Sequence, residues 1–405
     1  MKNKLIYLLL FILPRFYSQE QEVYPFMDLN SNHLFFGKDS SSFMRFYQKL
    51  DSFSNKTLKR ISIVHIGGSH VQGGTWSNSF TQGLQDELKP VGGGYFFFPY
   101  KLAKTNSPHF VSSFGNGSWK KCRCVGKDYC LPLGMSGMSV RTNDSVCEFG
   151  MALTKKSLIK GFNSARIYHN FNPSFEFRIV VPPEMEAVRL DNKTEGYTQF
   201  DLAQCIDSLT FQLTRKDTIQ KDFILYGLSA ESNMANSLYL ATLGANGAQS
   251  SSFLKCTYFT EQLRTIHPDL VILSLGVNDS QNKAFEKEDY IEHYDSLITK
   301  VREAAPGTAI LLTTTTDNFI KRRTPNKRSE ITKDAMFELM NKHGVAVWDL
   351  FSIMGGYKSM LKWVKAGLAS KDRVHFSGKG YTIIGDLMSS AVLKSYYANR
   401  KKENK

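Results

Sequence analysis

The sequence predicts an α/β protein: a parallel sheet covered by helices on both faces, with a β-rich segment inserted into it. Three observations carry this expectation. After Glu231 the chain alternates apolar runs of strand length with longer runs of helical periodicity. Those strands are apolar throughout, as required of a parallel sheet buried on both sides. Between about Lys101 and Gly227 the texture differs: short alternating runs punctuated by Gly, Ser and Asn, the pattern of a β-sandwich or jelly roll.

In chain order, the first segment reads "MKNKLIYLLLFILPRFYSQEQ". Two lysines precede an apolar run, Leu5 to Leu13, closed by Pro14. That run is too short to span a bilayer and fits a secretory signal cleaved near Ser18, although Phe16 departs from the small-residue preference before the cut. The alternative is an uncleaved anchor. Cleavage implies export across the inner membrane, to a periplasmic or extracellular location. The strand "RISIVHIG" follows, short, β-branched and ended by glycines, and then a helix over "SNSFTQGLQDELK" with Phe80, Leu84 and Leu88 on one face. Runs such as "ARIYHNF", "SFEFRIVV", "SLTFQLTR" and "DFILYGLSA" supply the strands of the insert. The strands "SLYLATLG", "DLVILSLG", "TAILLTTTT" and "VAVWDL" then alternate with helices over "SSSFLKCTYFTEQLRTI", "EDYIEHYDSLITKVREA" and "KRSEITKDAMFELMNKHG". A last helix lies in "GYTIIGDLMSSAVLKSYYA". With "RISIVHIG" the sheet has five parallel strands. The expected organisation is a signal at 1–18, an α/β domain in two parts at 19–105 and 229–396, an inserted β-sandwich at 106–228, and a basic tail at 397–405.

The chain of 405 residues carries a net charge of +14, which favours polyanionic partners such as acidic glycans or wall polymers. No nucleic-acid signature accompanies the charge. Cys122, Cys124 and Cys130 crowd one loop in a spacing that matches no common zinc pattern, so a local disulfide is expected and no metal site.

In an open parallel sheet, sites form where the strands end at their C-termini. Ser69 follows the first strand in "VHIGGSHVQGG"; Gly244, Asn246 and Gly247 follow the second; "GVND" follows the third; "KDRVHFSGKGY" precedes the last helix. A serine hydrolase needs a hydroxyl, a base within reach and donors aimed at a developing oxyanion. Ser69 supplies the hydroxyl and His375 the base, and Asp372 can hold the imidazole tautomer across one turn. The backbone N–H groups of Ser69 and Gly247 and the Asn278 amide can form an oxyanion hole. No cofactor is needed. His65 and His70 read as packing or supporting residues. The stretch "NFIKRRTPNKR" follows the fourth strand of the sheet and should place Lys321, Arg322, Arg323, Lys327 and Arg328 on the rim of the site, with Arg322 and Arg323 as substrate-binding candidates.

These blocks resemble those of the SGNH (GDSL-type) hydrolases: "HIGGSHVQGG" the first, "LGANGA" the second, "LGVND" the third and "DRVHFSGKGY" the fourth. The resemblance covers roughly 60–100 and 231–395. It implies a flavodoxin-like three-layer α/β/α fold, Ser69 as nucleophile, Gly247 and Asn278 as oxyanion donors, Asp372 as orienter and His375 as base. Gly244 is the rival to Gly247. One position departs from the family: Gly68 stands where an Asp usually precedes the serine. A β-sandwich between the first two blocks further resembles the peptidoglycan O-acetylesterases, with a carbohydrate-binding-module-like domain in that place. The function implied is removal of O-acetyl groups from peptidoglycan or another polysaccharide. The alternatives are a small-ester esterase or lipase, a polysaccharide O-acyltransferase, and a non-catalytic glycan-binding protein.

Overall fold

The computed structural model describes residues 24–126, 130 and 132–403, with the backbone alone for 402 and 403. The signal segment lies outside the described residues. Among the described residues, no helix is long and apolar enough to cross a membrane.

The centre of the molecule is a parallel array. Arg60–Gly67 pairs in parallel with Ser237–Gly244 on one side and Leu270–Ser274 on the other. Ala309–Thr313 and Ala346–Trp348 continue it outward. Ile61, Ile63, Val64 and Ile66 are fully buried, because helices cover both faces of the strand and leave neither side to water. Ser41–Ser54, Thr75–Leu88 and Gly378–Glu403 pack together as one layer, and Phe259–Ile266, Lys287–Ala304 and Arg328–His343 as the other. Ser41–Ser54 earns its place through Phe43, Phe46, Tyr47, Leu50 and Phe53, spaced to form one apolar stripe.

The structure corrects the strand count. Gly92–Phe97 is a sixth parallel strand, beside Ser237–Gly244, and Leu34–Phe36 adds an antiparallel edge to Ala346–Trp348. Three successive glycines open the sixth strand and give it no side-chain pattern to read. Its pairing is specified by a partner far along the chain. This strand also joins the two textures, because its other edge pairs antiparallel with Phe223–Glu231. From there the same sheet runs on through Phe162–His169, Tyr197–Ile206 and Ala187–Asn192. The inserted segment is therefore continuous with the central sheet through backbone hydrogen bonds. A second sheet of four antiparallel strands, Val111–Gly115, Val146–Leu153, Ser208–Arg215 and Phe175–Val180, lies against this extension. Phe149, Phe177 and Phe211 of the second sheet meet Phe200 and Phe223 of the first with ring centroids 6.0–6.3 Å apart.

Two further expectations change. The region "SSSFLKCTYFTEQLRTI" is not one helix: a 3-10 turn, Ser252–Lys255, is separated from Phe259–Ile266 by extended backbone at Cys256, whose side chain is buried. The basic tail is helical as far as Glu403, held where Arg400 Nε meets Asp51 Oδ1 at 3.0 Å. Cys122 and Cys130 form a disulfide, while Cys124, Cys147 and Cys256 are buried free thiols and Cys205 is exposed.

Candidate active site

Ser69 opens a short helix, Ser69–Gln72, directly after the strand Arg60–Gly67. His375 and Asp372 lie in the loop before Gly378–Glu403. The fold brings them together: Ser69 Oγ is 2.8 Å from His375 Nε2, and His375 Nδ1 is 2.8 Å from Asp372 Oδ2. Asp372 also accepts the backbone N–H groups of Val374 at 2.9 Å and His375 at 3.0 Å. Partial burial of Asp372 works against its ionisation. The hydrogen bonds from Ser370, from the His375 backbone and imidazole and from the Val374 N–H outweigh that cost and hold its pKa well below the ordinary carboxylate value. The ionised carboxylate fixes the proton on Nδ1. Nε2 is then free to accept the Ser69 hydroxyl proton.

The second and third blocks stand opposite. Asn278 lies in Val277–Gln281 and donates one Nδ2 proton to Ala248 O at 2.9 Å. Gly247 lines the same cleft with φ +86°, a left-handed conformation that glycine adopts freely. Gly244 is glycine for a different reason: a Cβ there would come within 2.3 Å of the Gln72 backbone nitrogen. Gly244 therefore lets the Ser69–Gln72 helix pack on its neighbour, and Gly247 faces the cleft. Among the described residues, no hydrogen bond engages the Ser69 or Gly247 backbone N–H. The cleft has a volume of about 700 Å³ and is lined by Ser69, Gly247, Asn278, Asp372, His375, Lys321 and Arg322, with Val277, Phe319 and Tyr381. A cleft of about 800 Å³ elsewhere, between Gln82–Gly93 and the insert, has no histidine in its lining.

The rim expectation is corrected in part. Lys321 and Arg322 line the cleft; Arg323 and Lys327 are exposed outside it. Arg328 points away, donating to the carbonyls of Asn282 at 2.6 Å and Lys283 at 3.3 Å. The reason is geometric. Residues 319–325 form a hairpin whose tip alone reaches the site, and the helix from Arg328 carries its guanidinium to a neighbouring loop.

Several supporting residues carry no local sequence signal. Gln72 accepts the Asn246 N–H at 2.7 Å and donates to Asn106 O at 2.8 Å; Arg123 donates to Asn246 O at 2.5 Å; Tyr100 donates to Gly244 O at 2.7 Å. Together they pin the loop that carries Gly247. Asp279, in "GVND", accepts the Ser250 N–H at 2.9 Å and so ties the third block to the second. Burial raises the Asp279 pKa, and the Ser250 hydrogen bonds oppose the rise. The neighbouring histidines are buried supports. Burial pushes both His65 and His70 down to about 3, so both are neutral. His65 bonds Ser77 and Ser274, each at 2.8 Å, and His70 Nδ1 bonds the Tyr381 hydroxyl at 2.7 Å. Among the described residues, no cluster of His, Cys, Asp and Glu could hold a metal ion.

Gly68, the departure from the family pattern, sits beside this machinery. A Cβ there would lie 3.4 Å from Asn278 Nδ2 and 3.6 Å from Ala248 O.

Residues 207–383 match the GDSL-like Lipase/Acylhydrolase family. That span contains the second, third and fourth blocks and leaves Ser69 outside it. No curated protein matches the chain. Among solved structures, one described as "Peptidoglycan O-acetylesterase in action" is similar over 90% of this chain and 99% of its own, with a TM-score of 0.72 and 19% identity. A GDSL-like lipase from Bacteroides thetaiotaomicron is similar over 39% of this chain and 76% of its own, with 21% identity and a TM-score of 0.32. A carbohydrate esterase family 3 protein from Talaromyces cellulolyticus is similar over 41% and 75%, with 15% identity and a TM-score of 0.31. The chain thus resembles the GDSL-like Lipase/Acylhydrolase family over residues 207–383, and shares its fold over nine-tenths of its length with the structure described as a peptidoglycan O-acetylesterase.

Proposed function

We propose that the chain is an exported serine esterase that removes O-acetyl groups from peptidoglycan or another polysaccharide. The observation that carries the reading is the relay from Ser69 Oγ to His375 Nε2 and from His375 Nδ1 to Asp372, each step 2.8 Å. In this reading His375 takes the Ser69 proton as Oγ attacks the acetyl carbonyl. The oxyanion is held by the N–H groups of Ser69 and Gly247 and the free proton of the Asn278 amide. The imidazolium, stabilised by Asp372, gives its proton to the departing sugar oxygen. A water deprotonated by His375 then releases acetate from Ser69.

The polysaccharide preference draws on the fold shared with a protein described as a peptidoglycan O-acetylesterase. It also draws on the strand-rich segment 106–228, which we read as a sandwich module that holds glycan near the cleft. Export draws on the segment 1–18.

The test is acetate release by the purified chain and a Ser69→Ala control, from O-acetylated peptidoglycan and from a chromogenic acetyl ester. Release from both, lost in the control, supports the full reading. Release from the small ester alone removes the peptidoglycan assignment. No release from either, with acetyl gain in an acceptor glycan, makes the chain an acyltransferase. Glycan binding alone, unaffected by Ser69→Ala, makes it a binding protein.

A further inference from the structure

Of the cations on the "NFIKRRTPNKR" stretch, the fold delivers two to the cleft, Lys321 and Arg322. They occupy the centre of a tight turn in which the Arg323 N–H donates to Ile320 O at 3.1 Å. Both are left-handed, with φ 50° at Lys321 and 64° at Arg322. Two successive left-handed residues inside a turn closed by that bond have the φ signs of a type I′ turn, where Asn and Gly are favoured. A long cationic side chain at each position costs conformational energy that Asn-Gly would avoid. Strain of this kind persists where the surroundings enforce it and tends to mark function.

The surroundings do enforce it. The Phe319 N–H donates to Arg373 O at 3.1 Å, and Arg373 Nη1 donates to Arg322 O at 3.0 Å while its guanidinium lies over the Phe319 ring. These bonds join the hairpin to the loop that carries Asp372 and His375. At its base the buried Asn326 Nδ2 donates to Asn318 Oδ1 at 3.1 Å and to Ser280 Oγ at 3.0 Å, and Gln281 Nε2 donates to Asn318 Oδ1 at 3.1 Å. That network joins the hairpin to the segment that carries Asn278. The tip is thus held in a fixed place relative to the nucleophile and the oxyanion donors.

The charges at the tip are uncompensated. Among the described residues, neither the Lys321 nor the Arg322 side chain has an ion-pair or hydrogen-bond partner. Among the described residues, the one carboxylate lining the cleft, Asp372, is committed to His375 and two backbone N–H groups.

We propose that the hairpin tip is a carboxylate subsite: Lys321 and Arg322 bind an acid group on the same sugar that carries the ester. This rests on the esterase reading above and narrows its substrate to an acidic glycan. Both side chains are exposed, so the gain is limited by solvent and salt. We expect about a five- to tenfold preference in kcat/KM for a carboxylate over its neutral carboxamide.

The test compares O-acetylated N-acetylmuramic acid, which carries a free lactyl carboxylate, with its carboxamide. Hydrolysis is measured for the full chain and for the double variant Lys321→Asn/Arg322→Gly, at low and high ionic strength. That variant supplies the residues the turn prefers, so it removes charge without breaking the hairpin. The proposal expects the preference at low salt and its collapse toward parity in the variant and at high salt. Parity in the unaltered chain, or a preference that survives both perturbations, overturns it. If neither ester is cleaved, or cleavage persists in Ser69→Ala, the esterase reading is what has failed. The subsite is then decided by equilibrium binding of N-acetylmuramic acid to Ser69→Ala with and without the double variant. Binding weakened about fivefold or more supports the subsite, and equal binding overturns it.

Discussion

Replacing Asp372 with Asn tests the site most sharply, because it keeps shape and changes one proton. Asp372 Oδ1 accepts two backbone N–H groups, from Val374 and His375, and Oδ2 accepts the imidazole Nδ1–H at 2.8 Å. An asparagine can keep the two backbone bonds with its oxygen, and its NH2 then faces Nδ1. Two donors cannot share that contact, so the imidazole moves its proton to Nε2 and loses the lone pair that receives the Ser69 proton. The flipped amide is worse: it sets the NH2 against two backbone donors and loses two hydrogen bonds of about 1 kcal/mol each. The tautomer should therefore invert, and kcat should fall by about 10³–10⁴. At about 1.4 kcal/mol per decade this is about 4–5.5 kcal/mol of transition-state stabilisation. The assay is hydrolysis of a chromogenic acetyl ester between about pH 5 and 9, with Ser69→Ala as the blank. Asp372 is ionised throughout that window, because its folded pKa lies below the ordinary value. Its contribution to stability has the same sign: it is present at neutral pH and is lost only as acid protonates the folded carboxylate. Thermal unfolding should shift little, since the His375 and Asp372 side chains are 41% and 29% exposed. An Asp372→Asn protein with activity within tenfold of the parent would refute the relay.

Four other outcomes follow from the same geometry. Gln72→Leu, similar in volume but without hydrogen bonds to Asn246, Thr105 and Asn106, should loosen the Gly247 loop and lower kcat about ten- to a hundredfold; an unchanged kcat would show that Arg123 and Tyr100 suffice. Tyr381→Phe leaves the buried His70 Nδ1 without its partner and should cost about 1–3 kcal/mol in urea unfolding, with a null result if the imidazole rotates to another hydrogen-bonding partner. Gly68→Asp restores the residue usual in the family but sets a carboxylate beside Asn278 and the Ala248 carbonyl; we expect activity to fall at least about tenfold, and a rise would show that the loop has room to reorganise. Thiol titration should find Cys205 alone reactive in the native protein and four free cysteines after unfolding, and a deficit after unfolding would reveal a second disulfide.

The sequence determined what local pattern can determine. The run "RISIVHIG" is a strand because its residues are β-branched and apolar, and glycines end it before Ser69. The order of Ser69, Gly247 and Asn278 follows from reading the residues beyond successive strands, where a parallel sheet gathers its loops, and His375 follows from reading the segment just before the last helix. Even Asp372 is legible, because one turn of chain separates it from His375. Only the tertiary structure decided the rest. Gly92–Phe97 has no readable face, and its place beside Ser237–Gly244 is set by hydrogen bonds to a distant partner. The same pairing lets the central sheet pass unbroken into the insert. Gln72, Arg123 and Tyr100 look ordinary in sequence and become supports of the Gly247 loop only when strands from both parts of the chain converge. Five basic residues lie in one stretch, and a hairpin turn admits two of them to the cleft. A sequence records which groups are available at short range; which of them share a cleft depends on contacts between residues hundreds of positions apart, and the assembled sheet supplies those.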